Sequence, residues 1–338
     1  MNKMKPILDV GVIGLGVGEQ HAHMFAGLTN TRVKWLYDYS ADQAEDVRTR
    51  VGQGIVSDSF EQILEDRDTD IVSIATYDHL HADEVMAAFA AGKHVFVEKP
   101  LCRTTHELSA IKASWITQRK PHVRSNLVLR ATPLYVWLKK AIKDGVLGDV
   151  YAFDGDYLYG RLHKITEGWR RDVPDYSVME GGGIHLIDLM LWLCGERPAR
   201  ATTLGTNIST RATQFSHDDF MAATFEFPSG IIGRITANFG CVHRHHHVIR
   251  VFGTKATFIY DDAGPRLHTT RDETTRAIPV DEETLPNHKG ALIPDFVRAV
   301  AEGEDASLPA QREFDLVSVT AAADQSLRER QPIEIEYV

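Results

Sequence analysis

Cysteine is scarce. Cys102, Cys194 and Cys241 are the only three in 338 residues. They lie far apart and form no CxxC pair, which excludes a zinc ribbon or a disulfide framework and fits a reducing cytoplasm. Long apolar runs are also missing, and none approaches the ~18–20 residues that a membrane span needs. Lys3 and Lys5 precede an apolar stretch as in a signal peptide. That stretch carries Asp9, Gly11, Gly14, Gly16 and Gly18 and lacks a convincing cleavage site, so it is expected to be a buried strand entering a tight turn, with no twin-arginine leader. Positive charge is in deficit: 37 Lys and Arg stand against 47 Asp and Glu, a net charge of −10. That balance argues against a dedicated nucleic-acid or anionic-membrane surface. No Pro/Gly/Ser-rich linker, internal repeat or low-complexity tract occurs. The roughly two domains suggested by a norm of ~150 residues each should therefore be tightly joined.

What is present is an ordinary globular composition, 43% hydrophobic and 25% charged, with enough apolar material for a sizeable core. Residues 1–125 alternate short β-branched runs with helical stretches. ILDVGVI (7–13), VKWLY (33–37), IVSIAT (71–76), HVFVEKP (94–100) and HVRSNLV (122–128) predict strands. Residues 20–28, 42–50, 60–65, 83–91 and 105–118 predict helices. This spacing implies a parallel sheet with right-handed crossovers, an α/β domain. The rhythm changes over residues 126–338. A helix at 133–143 is followed by strand-like runs at 150–159, 200–209, 219–227, 231–240, 247–260 and 265–270, then by helices at 293–301 and 314–328. Pro228-Ser229-Gly230 predicts a hairpin, and consecutive strands joined in this way imply an antiparallel sheet.

The first strand runs into Gly14-Leu15-Gly16-Val17-Gly18-Glu19. The third glycine of a GxGxxG turn is replaced here by Glu19, and Gly18 sits one place early. Gly14, Gly16, Val17 and Gly18 would let backbone N–H groups approach a pyrophosphate at a helix start, where the dipole favours negative charge. Asp38, at the end of the second strand, is placed to accept hydrogen bonds from an adenosine ribose diol. A carboxylate there repels a 2′-phosphate and favours NAD. NADP stays open, because Tyr39 and Ser40 exclude it less firmly than Asp38 does.

Residues 71–101, IVSIATYDHLHADEVMAAFAAGKHVFVEKPL, carry more specific information. The Ala75-Thr76 strand end with His79 and His81 precedes the triplet Glu98-Lys99-Pro100. Gly168-Trp169-Arg170, then Gly183-Ile184-His185-Leu186-Ile187-Asp188, FGTKATFIYDD (252–262) and DFVRAVAEGE (295–304) follow in order. In these residues and their spacing the chain resembles the Gfo/Idh/MocA oxidoreductases, over nearly its whole length. The resemblance implies a Rossmann NAD(P)-binding domain followed by an α+β domain with a large, open, mostly antiparallel sheet. It implies hydride transfer between nicotinamide C4 and a secondary alcohol or ketone carbon of a sugar, cyclitol or nucleotide-sugar. It also implies a frequent cis peptide before Pro100.

By the same resemblance, Thr76, His81, Glu98, Lys99 and Arg170 join the glycine turn and Asp38 at the cofactor. Lys99 and His185 are the expected catalytic pair, because the alcohol proton needs a base while the nicotinamide carries the hydride. Lys99, Arg130, Trp169, His185, Asp188, His243 and His245 are the expected substrate contacts. Inositol-dehydrogenase-like members carry an Asp four residues before this histidine. Here that position is Gly181, which leaves neighbouring Glu180 as a candidate replacement. The run His243-Arg244-His245-His246-His247 would place 243, 245 and 247 on one strand face. No Cys or acid stands at a ligand spacing, so a substrate wall is expected rather than a metal site.

Two other functions remain open on this fold. One is a glycosidase using tightly held NAD as a redox catalyst; the other is a non-catalytic metabolite sensor, against which retention of Lys99 and His185 argues. Ile232, Arg234, Thr236 and Asn238 alternate with Ile231, Gly233, Ile235 and Ala237. An exposed sheet face of that kind predicts a homodimer or homotetramer formed through it.

Overall fold

The computed structural model describes residues 7–338; Lys3 and Lys5, weighed above as part of a leader, lie outside them. The chain forms two compact units. One takes in the residues as far as Ala131 together with Pro286–Val317 and Val338; the other comprises Thr132–Leu285 and Ser318–Tyr337.

The first unit holds a six-stranded sheet: β1 (Leu8–Ile13), β2 (Thr31–Tyr37), β3 (Ile55–Val56), β4 (Thr69–Ile74), β5 (His94–Val97) and β6 (Val123–Ser125). Its order is β3-β2-β1-β4-β5-β6, and every pairing is parallel. All six residues of β1 are buried, as a central parallel strand covered on both faces requires. Helices α1 (Gly18–Gly27), α2 (Ala41–Val51), α3 (Phe60–Glu65), α4 (His81–Ala90) and α5 (Thr105–Thr117) form the crossovers. Their starts are written locally. Ser40 caps α2 through Gln43 N–H, and Thr104 with Glu107 makes a capping box on α5. The strand order reverses between β1 and β4, so the carboxyl ends of these strands form the switch point where ligands bind in open α/β sheets.

The segment Pro286–Val317 returns to this unit, a long-range docking that local periodicity does not show. Helix α9 (Ile293–Glu302) places Ile293, Phe296 and Val297 in a core with Val10, Phe25 and Phe96. The start of α10 (Ser307–Glu329) adds Ala310, Phe314 and Val317 to the core on the other sheet face. Residues 126–131, placed beyond the boundary by the change of rhythm, stay with the first unit.

The second unit contains α6 (Pro133–Lys143), α7 (His163–Thr166), α8 (Ile184–Cys194) and a nine-stranded sheet. Its strands are β7 (Val150–Leu158), β8 (Arg200–Thr206), β9 (Phe220–Glu226), β10 (Ile232–Asn238), β11 (His246–Gly253), β12 (Thr257–Asp261), β13 (Gly264–His268), β14 (Ile278–Pro279) and β15 (Ile333–Glu334). The order is β14-β13-β12-β11-β7-β10-β9-β8-β15. The β7–β10 pairing is parallel; the others are antiparallel. The β9–β10 hairpin turns at Gly230, whose φ is +90°. The run 247–260 splits into β11 and β12 at a turn where a Cβ on Gly253 would stand 2.1 Å from the Leu147 carbonyl oxygen. Helix α8 covers one sheet face. A Cβ on Gly233 would stand 2.2 Å from Met190 Sδ, and one on Gly155 would stand 3.1 Å from Leu186. Bare backbone at these positions lets the helix lie close to the strands.

Candidate active site

In the first unit the site begins at the glycine turn. Gly14 adopts φ +76°, and a Cβ there would sit 2.5 Å from the Ala75 carbonyl oxygen at the end of β4, so only glycine fits. A Cβ on Gly16 would meet nothing within 4 Å, which leaves the turn open to an approaching group just before α1. Val17 is exposed at the helix start. Asp38 holds the turn to the end of β2: Leu15 N–H donates to Oδ2 at 2.7 Å and Ser40 N–H to Oδ1 at 3.0 Å. Each oxygen keeps a lone pair for a ribose hydroxyl. An open glycine turn, a helix N-terminus and an anchored acid fit a dinucleotide.

Thr76 donates its hydroxyl to Glu84 at 2.5 Å. Burial pushes the Glu84 carboxyl up to about 7, against the Thr76 bond. His81 follows at the start of α4. It is fully buried, and its Nδ1–H donates to the Pro100 carbonyl at 2.6 Å. Burial lowers its pKa, leaving a neutral ring whose Nε2 has no partner among the described residues. His81 thus supports the turn after Lys99 through its Nδ1. The Lys99–Pro100 peptide is cis. Lys99 is half-buried at the carboxyl end of β5. Glu98 beside it accepts from His21 at 3.1 Å and from Asn126 at 2.7 Å. Burial would raise its carboxyl, but these donors and Lys99 hold it down at about 2. Arg130 is half-buried in a 3-10 turn at Val128–Ala131.

In the second unit, His185 is half-buried in the first turn of α8, just after a π-helical turn at Met179–Gly183. The glycines of that turn fit it to an aromatic surface. A Cβ on Gly182 would stand 2.4 Å from the Tyr157 ring, and one on Gly181 would stand 2.1 Å from the Tyr176 hydroxyl oxygen. The space one turn before His185 is therefore filled by a phenol. Glu180 and Asp188 are buried.

Tyr157 is the centre of a ring cluster. His185 stacks on it at 6.2 Å, and His247 and His245 lie 5.2 and 5.3 Å away. Tyr159 and Phe239 pack beside them at 4.5 Å from each other. Burial, then Arg161 and His246, lowers His245 to about 4. Burial and the imidazoles of His245, His185 and His246 hold His247 well below the ordinary histidine range. Both rings are neutral near pH 7, suited to donating to and accepting from hydroxyl groups.

His243 lies outside this wall. Strand β11 begins only at His246, so strict alternation does not extend back to 243. Its Nε2 pairs with Asp262 at 2.9 Å and its Nδ1 with the Arg244 carbonyl at 2.8 Å. His247, expected on the same face as 243 and 245, lies in the ring cluster beside Tyr157. Trp169 and Arg170 share a 3-10 turn, with the guanidinium 4.5 Å from the indole centroid.

These features define an oxidoreductase of the dinucleotide-binding kind. Residues 8–123 match an oxidoreductase family with an NAD-binding Rossmann fold, and residues 135–259 match the GFO/IDH/MocA C-terminal domain. The chain belongs to the GFO/IDH/MocA family of NAD-dependent oxidoreductases. It is 26% identical to levoglucosan dehydrogenase of Pseudarthrobacter phenanthrenivorans over 308 residues, 81% of this chain and 77% of the relative. It is 23% identical to inositol 2-dehydrogenase 2 of Saccharopolyspora erythraea, covering 95% and 92%. A solved levoglucosan dehydrogenase in complex with NADH and L-sorbose shares the fold, with a TM-score of 0.85, 22% identity and coverage of 98% and 99%.

Proposed function

We propose that the protein is an NAD-dependent dehydrogenase for a neutral sugar or cyclitol, moving a hydride between a secondary alcohol carbon and nicotinamide C4. The observation that carries this reading is Lys99, half-buried at the carboxyl end of β5 in an NAD-binding Rossmann unit. Bound NAD supplies the hydride acceptor. The chain must bind and orient the polyol and receive the hydroxyl proton. Lys99 hydrogen-bonds the reacting oxygen, and the His185 imidazole takes the proton as the C–O bond gains double-bond character. Thr76, Glu98 and Arg170 contribute to cofactor binding, and Trp169, Arg130 and the neutral His245 to substrate binding. The uncharged imidazole wall around Tyr157 matches a substrate rich in hydroxyls.

Lys99→Ala should lose most turnover on a panel of sugars and cyclitols while retaining NADH binding by fluorescence titration. Near-normal turnover would refute the role given to Lys99. The panel also separates a dehydrogenase, which releases free NADH, from a redox glycosidase, which does not. We further infer a cytoplasmic homodimer or homotetramer using the sheet face that exposes Ile232 and Arg234. A monomeric mass in light scattering would overturn the oligomer.

A further inference from the structure

We propose that His21 is a positioning residue for the dehydrogenase chemistry, acting through Glu98 on the Lys99 end of β5. This rests on the reading of Lys99 given above. His21 lies on α1, directly behind the glycine turn, and is fully buried. Its Nε2 meets Glu98 Oε1 at 3.1 Å and its Nδ1 meets Ser73 Oγ on β4 at 3.0 Å. A carboxylate only accepts, so Nε2 carries the proton and donates; in the neutral ring Nδ1 accepts from the Ser73 hydroxyl. Asn126, just past β6, gives its two amide hydrogens to Glu98 Oε1 at 2.7 Å and to the Lys289 carbonyl at 2.8 Å. Its 3.2 Å contact with His21 Nε2 joins two donors and is only van der Waals packing. A single carboxylate oxygen thus gathers donors from α1 and from the end of β6.

The placement sets this cluster apart from an ordinary buried pair. It spans the carboxyl ends of β4, β5 and β6, where a parallel sheet holds its ligands. Glu98 N–H also donates to the Ile74 carbonyl at 2.7 Å, and Asn126 N–H to the Val97 carbonyl at 2.8 Å. With Oε1 pinned twice, Glu98 Oε2 takes no hydrogen bond from the described residues, and the side chain keeps 16% exposure. Oε2 is therefore a fixed, accessible acceptor beside Lys99. A buried ionic group of this kind adds little to stability over apolar packing, so its value lies in geometry. Without His21 the carboxylate loses one of two donors and the Glu98–Lys99 turn loses its tie to α1. The titratable groups facing Glu98 are His21, Lys99 and His81 from α4.

The test compares His21→Ala and His21→Gln with wild type and Lys99→Ala. In His21→Ala, kcat/KM on the panel should fall at least tenfold and the acid limb of its pH profile should move upward. The Glu98 carboxyl resonance, assigned with Glu98→Gln in 13C-glutamate-labelled protein, should titrate at higher pH. His21→Gln, whose amide also donates, should recover most of both effects. A pH profile and a Glu98 titration unchanged in His21→Ala would overturn the proposal, even if the melting temperature fell. If His21→Ala fails to fold, the same readouts on His21→Gln and Asn126→Ala decide, and an unmoved Glu98 titration in both overturns it. Lys99→Ala with full turnover would instead refute the role of Lys99, and the carboxyl titration would still judge His21 independently.

Discussion

His247 stands directly opposite Tyr157 in the β11–β7 ladder, with the two rings 5.2 Å apart. Its Nε2 is buried with no partner among the described residues. A polar nitrogen in that position invites a ligand hydroxyl, because an unmade buried hydrogen bond is unfavourable. His247→Phe preserves the ring and removes both nitrogens. One lost hydrogen bond of ~0.5–1.5 kcal/mol raises KM for the preferred polyol by roughly 2- to 12-fold and changes kcat little, the pattern of lost uniform binding. Steady-state kinetics on wild type and variant check this. A fall in kcat at constant KM would remove His247 from the substrate wall.

The space before His185 gives a second expectation. A Cβ at 181 would overlap the Tyr176 hydroxyl oxygen, and both residues are buried. Gly181→Ala should therefore destabilise the fold by ~1–3 kcal/mol, as overpacking does. Adding Tyr176→Phe removes the overlapping oxygen and should recover part of that loss, a positive coupling between contacting sites. Urea unfolding of the two single variants and the double variant measures it. Simple additivity would show that the phenol moves aside freely.

Glu84 makes stability depend on pH. Burial lifts its carboxyl in the folded state from 4.5 to about 7, whereas the unfolded chain titrates near the ordinary value. Below the unfolded value both states are protonated, and this group has no effect. As pH rises towards 7 the unfolded state sheds its proton first, so folding loses ~1–3 kcal/mol across that window. Glu84→Gln keeps an acceptor for Thr76 and removes the titration. The variant should gain stability relative to wild type at pH 8 and show almost no gain at pH 4.5. Denaturant unfolding at both pH values tests this; an equal difference at the two would contradict it.

Local pattern made much of this molecule legible. The β1–glycine turn–α1 unit, the helix at Phe60–Glu65 and the apolar face of α8 at Leu186, Leu189, Met190 and Leu193 all follow from short-range periodicity and turn chemistry. So does β5, which ends at Val97, two residues before Lys99. Non-local choices were not legible. The docking of α9 on Phe25 and Phe96 and the parallel β7–β10 pairing depend on contacts distant in sequence. Strands β3, β14 and β15 contain two residues each, too few to show a period. The ring directions of His81 and His243 were not legible either, because the sequence places a residue near a strand end without saying which way its ring turns. Residue 81 turns inward to Pro100, and residue 243 turns to Asp262, a partner distant in sequence. His21 gave no signal beyond its place on a helix, since its partners arrive from β4 and β5.

Asp38 yields the last expectation. Its oxygens already accept from Leu15 and Ser40 N–H, so the carboxylate fixes the glycine turn and also presents charge at the ribose position. Asp38→Asn keeps the shape, removes the charge and offers one acceptor oxygen where two are used. One backbone N–H then loses its partner or faces an amide donor. NADH affinity should fall roughly 10- to 150-fold, in line with the ~1.5–3 kcal/mol of a hydrogen bond to a charged group. NADPH affinity should fall less or rise, because the repulsion against a 2′-phosphate disappears. Fluorescence titration with both cofactors gives the ratio of dissociation constants. A ratio unchanged from wild type would mean that the cofactor's 2′ position lies away from Asp38 and that this acid serves only to hold the turn.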